Sequence, residues 1–366
     1  MKIAFVLAGL SAGGAERVIS LISAEWASQG HDISIIAFDS PAEPVYHPFN
    51  PRVRLERLDL TTASGCRLKG LATNIQRILR LRAVLKREKP DIVISFLTKI
   101  NAVTLAATIG LRVPVIVSER NNPRRQLAHP LWNLILRTLY ARATQIVMQT
   151  RASVSSLPAK VRHLAAVIPN PVAIPQSQAT AVSSIFTAVG RLVEQKGFDL
   201  LIEAFARIAP VLPQWRLVIW GEGDERAELE RKIEALGLRG RVELPGLTRH
   251  AGEWTQDASI FVLSSRYEGF PNVLAEAMAT GLGAISFDCP FGPSEIIQNG
   301  EDGLIVPAED VGGLANAMEK LAMDPELRKQ LSANARHSIR RFEASAVIAR
   351  WQEVVMRNTG PVTPAN

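Results

Sequence analysis

Cations and glycines frame one loop of this sequence in a way that suits a diphosphate. In "VGRLVEQKGFDLLIEAF", Gly190 and Arg191 end an apolar run, and Lys196 and Gly197 precede a helical pattern. Arg offers a forked donor and Lys a point charge, five residues apart across one loop. Solvated surface charge is the plain alternative for either residue alone. A second stretch, "SSRYEGFPNVLAEAMATG" at 264–281, carries Glu268 and Glu276 eight positions apart, with Gly269, Phe270, Pro271 and Asn272 between them. Proline favours the first helical position, because its missing N–H would have lacked a partner there. The reading is therefore a helix from Pro271 to Thr280, with the amides of Asn272 and Val273 offered to phosphate oxygens at its start. Glu268 falls in the loop before that helix and Glu276 inside it. A helix-terminus charge and a solvated helix glutamate are their plain alternatives.

Other glycines recur where apolar runs end. "AGLSAGGAER" places Gly9, Gly13 and Gly14 before a helix that includes Glu16, and "IWGEGDER" places Gly221 and Gly223 likewise. Glycine lets a backbone approach a ligand closely, or simply makes a tight turn. The first loop lacks the G-x-G-x-x-G spacing of a dinucleotide fingerprint, although Asp39 follows the second strand at a tempting place for a ribose contact.

The elements that must position these residues alternate along the whole chain. "KIAFVLAG", "DISIIAF", "PDIVISFL", "VPVIVSE" and "TQIVMQT" read as buried parallel strands, with helices at Ala15–Gln29 and Leu68–Lys89 between them. After the Pro- and Ser-rich stretch 167–184 the pattern restarts with "SIFTAVGRL", "WRLVIWGEG", "RVELPGL", "ASIFVLSS" and "GAISFD". Helices are expected at Phe198–Ala209, Glu225–Leu236 and Ala344–Met356. The fold class is α/β, with two doubly wound Rossmann-like domains facing a central cleft. Their expected extents are 1–172 and 185–340, with 341–366 forming a C-terminal helix that returns to the first domain. Ligands in such sheets bind beyond the carboxyl ends of the strands, where the residues above cluster.

Composition narrows the classes of function. With 366 residues, 47% of them hydrophobic, the chain can bury a large core, and no window approaches the apolar length of a membrane span. The N-terminal run reads as a first strand rather than a signal peptide. Cys66 and Cys289 lie far apart without metal-ligand spacing, which suits a reducing compartment. The net charge of +7 conceals an asymmetry: residues 1–178 hold 23 Lys and Arg against 10 Asp and Glu, while the remainder holds 19 against 25. A basic half facing an acidic half points to an anionic surface. Aromatic content of 6% and the lack of basic-aromatic interleaving disfavour nucleic acid, leaving membrane lipid.

Taken together, Gly190-Arg191, Lys196-Gly197, Glu268 and Glu276, "GPSE" at 292–295, "GGAER" at 13–17 and "IPNPV" at 168–172 resemble the retaining GT-B glycosyltransferases of family four along essentially the whole chain. Within that family the chain is similar to enzymes that extend sugars on polyprenyl diphosphates for O-antigen, capsule or glycoprotein glycans. The resemblance implies a nucleoside-diphosphate sugar donor, a UDP-sugar first among them, and a polyprenyl-diphosphate-linked glycan acceptor. It assigns donor sugar hydroxyls to Glu268 and ribose hydroxyls to Glu276, since a carboxylate accepts from two neighbouring hydroxyls. The diphosphate falls to Arg191, Lys196, backbone near Gly14 and the helix opening at Asn272. Gly190, Gly221, Gly223 and Gly269 to Val273 complete the donor side. No cofactor is implied, and no metal, because the chain has no Asp-x-Asp. Attack is drawn on the donor's front face, the departing phosphate taking the acceptor proton, without a covalent enzyme nucleophile. Location follows as cytoplasmic, peripheral on the inner face of the cytoplasmic membrane.

Relatives often carry histidine in the loop that reads "VSERNNPRR" here, where Glu119 and Arg120 stand instead. These two either position a sugar or pair with each other. Gly13, Glu16, Glu119, Arg120, Arg77 and Arg80 form the expected acceptor set. Segment 67–90 reads as an amphipathic helix with Leu71, Ile75, Ile78 and Leu85 on its apolar face; its cations bind anionic lipid or the acceptor diphosphate, or are merely solvated. "HPLWNLILRTLYARA", with Trp132 and Arg137, is a second candidate of this kind. Rival readings are an NAD-dependent oxidoreductase, a sugar-nucleotide epimerase and a non-catalytic nucleotide-sugar-binding protein of the same fold.

Overall fold

Apolar runs of the N-terminal half become strands buried on both faces. β1 (Lys2–Leu7), β2 (Asp32–Ala37), β3 (Arg54–Arg57), β4 (Ile92–Phe96), β5 (Val115–Ser118), β6 (Gln145–Met148) and β7 (Ala165–Val167) form one sheet in the order β3-β2-β1-β4-β5-β6-β7. Every neighbouring pair is parallel. Ile3 through Leu7 are sealed from solvent, as a strand must be when helices cover both faces of a parallel sheet. A second sheet repeats the plan with β8 (Ile185–Val189), β9 (Arg216–Trp220), β10 (Val242–Gly246), β11 (Ile260–Leu263), β12 (Gly283–Asp288) and β13 (Leu304–Pro307), ordered β10-β9-β8-β11-β12-β13 and again parallel. This computed structural model describes residues 1–11, 13–60, 67–120, 138–174, 183–250 and 252–359.

Two compact units result: Met1–Pro171 with Ala344–Asn366, and Val172–Glu343. In each, strand order reverses once, between β1 and β4 in the first and between β8 and β11 in the second. Crossovers leave such a pair of strands in opposite directions, so the loops beyond their ends diverge and open a crevice. The Lys196 loop follows β8 and the Glu268 loop follows β11. Both therefore lie at the second unit's switch point.

The last helix, Ala344–Thr359, is built into the first unit. Val347, Ile348, Trp351, Val354 and Val355 recur at helical spacing and bury in the same core as Ile3, Phe5 and Trp26. Trp351 stacks on Phe96 of β4 with ring centroids 5.6 Å apart. Three strands had no place in the sequence reading. β3 at the sheet's edge is Arg-Leu-Glu-Arg and half open to water, so it lacks the apolar run that marks a central strand. β7 and β13 are also edge strands, apolar but only three and four residues long. Helix ends match within a residue or two except at the last helix, which continues past Met356 to Thr359.

Because Trp351 is fully buried against Phe96, truncating it leaves a large cavity. Trp351→Ala is expected to cost about 3–5 kcal/mol of stability. Urea unfolding measures this, and an unchanged midpoint would show that the helix contributes little to its unit.

Candidate functional site

The second unit's crevice is built by two loops that hold each other. After β8 the chain makes a short 3-10 turn, Glu194–Lys196, and then enters the helix Phe198–Ile208 through Gly197 at φ 62°. A side chain at 197 would drive into the Ser264 carbonyl, so the left-handed turn and the close approach both require glycine. Ser264 Oγ donates to the Lys196 carbonyl at 2.9 Å, the Arg266 amide to the Gln195 carbonyl at 2.8 Å, and Gln195 Nε2 to the Tyr267 carbonyl at 2.9 Å. Arg266 clamps Asp199 with two bonds of 2.8 and 2.7 Å. Burial alone would raise the Asp199 carboxyl, but Arg266 outweighs it and holds the group below the usual range.

At the centre of this frame, Lys196 Nζ donates to Glu268 Oε1 at 2.7 Å, and Ser265 Oγ donates to the same oxygen at 2.7 Å. Both side chains are largely buried, 16% and 9% exposed. Among the described residues Glu268 Oε2 accepts nothing, and only one Lys196 proton is used. One carboxylate oxygen is thus held in place while the other remains available. The Lys196 stem lies over Gly190, where a Cβ would sit 3.1 Å from Lys196 Cε. Cys289 stands nearby, its thiol pushed up to about 12 by burial and then by the Glu268 charge.

Around this pair the other expected donor residues take different places. Gly221, at φ 143°, brings its backbone against the Gly190 carbonyl, where a side chain would collide. Gly223 lies equally close to Leu192. A cavity of about 180 Å³ opens beside them, lined by Val189, Gly190, Arg191, Trp220, Gly221 and Leu247 with two neighbours. Arg191 is exposed and has no partner among the described residues. The helix following Gly269 starts at Asn272, not Pro271, which is its N-cap at ψ 87°. Asn272 and Val273 open its first turn. Glu276 is half-buried one turn further on. Phe270 is 6% exposed, and its ring packs edge-on against Phe342 at 5.5 Å, so its side chain belongs to the core.

In the first unit the carboxylates are turned inward. Glu119 is 2% exposed and accepts from Thr98 Oγ1 at 2.6 Å, Asn101 Nδ2 at 3.0 Å and the Tyr140 hydroxyl. These contacts anchor the start of the helix Thr98–Ala107, and Glu119, one of the expected acceptor residues, is turned inward. Burial raises its pKa, partly offset by those three donors. Nor does it pair with Arg120, whose Nη1 donates to Asn170 while its guanidinium lies over Phe96 at 4.7 Å and Trp351 at 5.6 Å. Burial lowers the Arg120 pKa. Its Nε and Nη2 are buried without a partner.

Glu16 is likewise buried, its carboxyl raised chiefly by desolvation, and it folds back over Gly13 into space that a side chain there would fill. Gly14 is exposed at the first position of its helix. Asp39 caps the Leu10 amide at 2.7 Å and takes a paired bond from Arg57, so it holds the β1 loop and is not a ribose ligand. On the helix Arg67–Glu88, Arg77 donates to the Leu60 carbonyl at 2.9 Å and lies over Phe38, whereas Arg80 is exposed without a partner. Ile78 and Leu85 pack inward as expected, joined by Leu81 and Val84, whereas Ile75 is exposed. His129, Trp132 and Arg137 lie outside the described residues.

Sequence reasoning missed Ser265, Arg266 and Asp199, which set the position of Glu268. Their signal was present in "SSRYEG" and in the Asp two places after Gly197. It was silent because a loop-to-helix clamp has no fixed spacing.

Two doubly wound parallel-sheet units are the GT-B architecture, and comparison with known proteins gives the class as glycosyltransferase. Residues 13–171 match the glycosyl transferase 4-like domain, and residues 173–338 match the glycosyl transferases group 1. The chain belongs to this glycosyltransferase family. It is 30% identical to an exopolysaccharide phosphotransferase of Streptomyces coelicolor over 97% of its own length, while spanning 40% of that protein. It is 28% identical to a Campylobacter jejuni alpha-1,4-N-acetyl-D-galactosaminyltransferase named for a diNAcBac-PP-undecaprenol-linked saccharide, covering 97% of this chain and 98% of that one. Anabaena HepE, solved with UDP and glucose, superposes with a TM-score of 0.80 at 19% identity, over 97% of this chain and 99% of that one.

The buried Glu119 generates a pH test. Its raised pKa lets the folded chain keep a proton that the unfolded chain releases, so stability falls as pH rises from the ordinary glutamate range through the raised value. Glu119→Gln should remove that slope, making the variant's deficit relative to wild type shrink with rising pH. Urea midpoints across that window measure the trend; a constant deficit would show that Glu119 titrates normally.

Proposed function

We propose that the chain is a retaining glycosyltransferase moving a hexose or N-acetylhexosamine from a UDP-sugar to a membrane lipid-linked saccharide in surface polysaccharide or glycan synthesis. The observation that carries this reading is the Lys196–Glu268 pair at the second unit's switch point, with one Glu268 oxygen held and the other unspent. A carboxylate fixed in this way accepts from hydroxyls of the transferred sugar. Glu276, one turn into the helix from Asn272, takes the ribose hydroxyls. Arg191, the remaining Lys196 protons and the first-turn amides hold the diphosphate. The apolar sides of the cavity at Val189, Trp220 and Leu247 suit the face of a base.

In the proposed step the bond from the anomeric carbon to the diphosphate oxygen lengthens first. The acceptor hydroxyl approaches from the same face, its proton passes to that departing oxygen, and the new glycosidic bond keeps the donor's configuration. Negative charge gathers on the diphosphate, where Lys196 and Arg191 meet it. No enzyme nucleophile is used. The Campylobacter relative supports a polyprenyl-diphosphate acceptor, and HepE supports UDP. The first unit, with its basic balance, serves as the acceptor side in this reading, and that charge supports peripheral association with the cytoplasmic face of the membrane. Among the described residues no helix is long and apolar enough to cross a membrane.

The two glutamates are separable by experiment. Glu276→Gln should weaken UDP itself by calorimetry, whereas Glu268→Gln should leave UDP affinity nearly intact and lower the single-turnover transfer rate, because a contact that tightens on the cationic sugar acts in the transition state. Equal loss of UDP binding in both variants would remove the division of roles. Cations and amides in place of a metal also make transfer resistant to excess EDTA. Loss of activity that manganese or magnesium restores would overturn that part of the reading.

A further inference from the structure

β12 ends in a loop, residues 289–292, that closes on the stretch carrying Glu268. Cys289 is buried, and its thiol feels desolvation first, then the charges of Glu268 and Lys196. The Glu268 amide donates to the Pro290 carbonyl at 3.4 Å. At Gly292 a Cβ would lie 2.7 Å from Pro271 Cδ and 3.6 Å from Glu268 Cβ, so the backbone there is pressed against both.

Phe291 stands between these contacts, half-buried, with φ at 75°. This is the left-handed region, which a bulky L side chain enters only as an outlier. Among the described residues four other non-glycine positions share a positive φ. Asp59, Lys89 and Glu309 are charged, and Leu97 caps a helix of the first unit. Phe291 is therefore the apolar residue so held in the second unit. Glycine would make the same turn without strain. Phenylalanine instead sets a ring in the loop that closes on Glu268, and outliers of this kind gather where a ligand has to be shaped.

Glu268 by itself selects poorly among sugars. Its unspent oxygen accepts from any hydroxyl within reach, so it orients a hexose without telling it from an epimer. An apolar wall acts differently. A hydroxyl set against it loses water and gains no partner, so the wall excludes whichever epimer or substituent points there. We infer that the Phe291 ring is a wall of the pocket for the transferred sugar and determines which hexose or N-acetylhexosamine is accepted. The inference rests on the donor reading proposed above and adds the residue that sets its sugar choice.

Calorimetry of the full chain with UDP, UDP-glucose, UDP-galactose, UDP-N-acetylglucosamine and UDP-N-acetylgalactosamine reads that choice directly. Wild type should separate the best of the four sugars from the worst by at least about tenfold, the scale a pocket wall supplies. Phe291→Ala and Phe291→Gly should each narrow the spread to roughly threefold or less and leave the affinity for UDP itself unchanged. Urea midpoints test the backbone: Phe291→Gly should unfold later than Phe291→Ala, since glycine adopts φ 75° freely. A wild-type spread retained by both variants overturns the inference while the donor reading stands. So does loss of UDP binding in folded variants, which would give the ring to the nucleotide. A higher midpoint for Phe291→Ala than for Phe291→Gly overturns it too, because the left-handed turn would then not be what holds the ring. Failure of wild type to bind UDP removes the donor reading and this inference with it.

Discussion

Much of the second unit depends on a single ion pair that has been taken mostly out of water. Desolvating a lysine and a glutamate costs several kcal/mol each, and their attraction offsets this only where geometry is good and the remaining polar atoms are satisfied. Lys196 and Glu268 meet at 2.7 Å because the β8 and β11 loops are sewn together on either side of them. Ser264, Gln195 and the Arg266 amide make the seam, Gly197 permits the approach, and the Arg266–Asp199 clamp fastens it to the next helix. Ser265 adds a second donor to the same Glu268 oxygen. Such a pair is a poor source of stability compared with apolar packing. Its value lies in delivering two opposite charges to one place with donors and an acceptor left over.

The first unit spends its polar groups differently. Glu119, Glu16 and Asp39 all stand near strand ends, yet each is buried and engaged in holding a loop or a helix start. Removing acceptors from the surface in this way leaves the unit's cations to set its outward character. Arg120 is turned inward instead, stacked on Phe96 and Trp351, and helps tie the returning helix to the sheet. A cation over aromatic rings accepts burial better than a free one, because the ring face carries partial negative charge. The two units share one architecture, but one exposes unspent site groups and the other hides them.

What could be read before any coordinates were those features encoded by local pattern. Fully buried parallel strands appear as unbroken apolar runs, so the nine central strands were legible, and with them the edge strand β10. The edge strands β3, β7 and β13 were not, because an edge strand can be only three or four residues long and still paired by backbone alone. Helix 67–88 shows the limit of periodicity. Ile75 and Leu79 fall close enough to the apolar arc to be assigned inward, yet the inner face is chosen by where Leu58, Leu60 and Val103 happen to lie.

The sequence by itself determined that glycines and charges would gather at strand ends, since only such residues permit close backbone approach and hold phosphate there. It determined the residue types at Arg191, Lys196, Glu268 and Glu276. Only the tertiary structure decided which of these meet. Lys196 and Glu268 are 72 positions apart, and their contact exists because β8 and β11 are neighbours at a reversal of strand order. It also decided that Glu119 is sealed within its unit while Arg80 remains in solvent, though both are charged residues near candidate surfaces. Burial depends on what the rest of the chain brings alongside, and no local pattern carries that information.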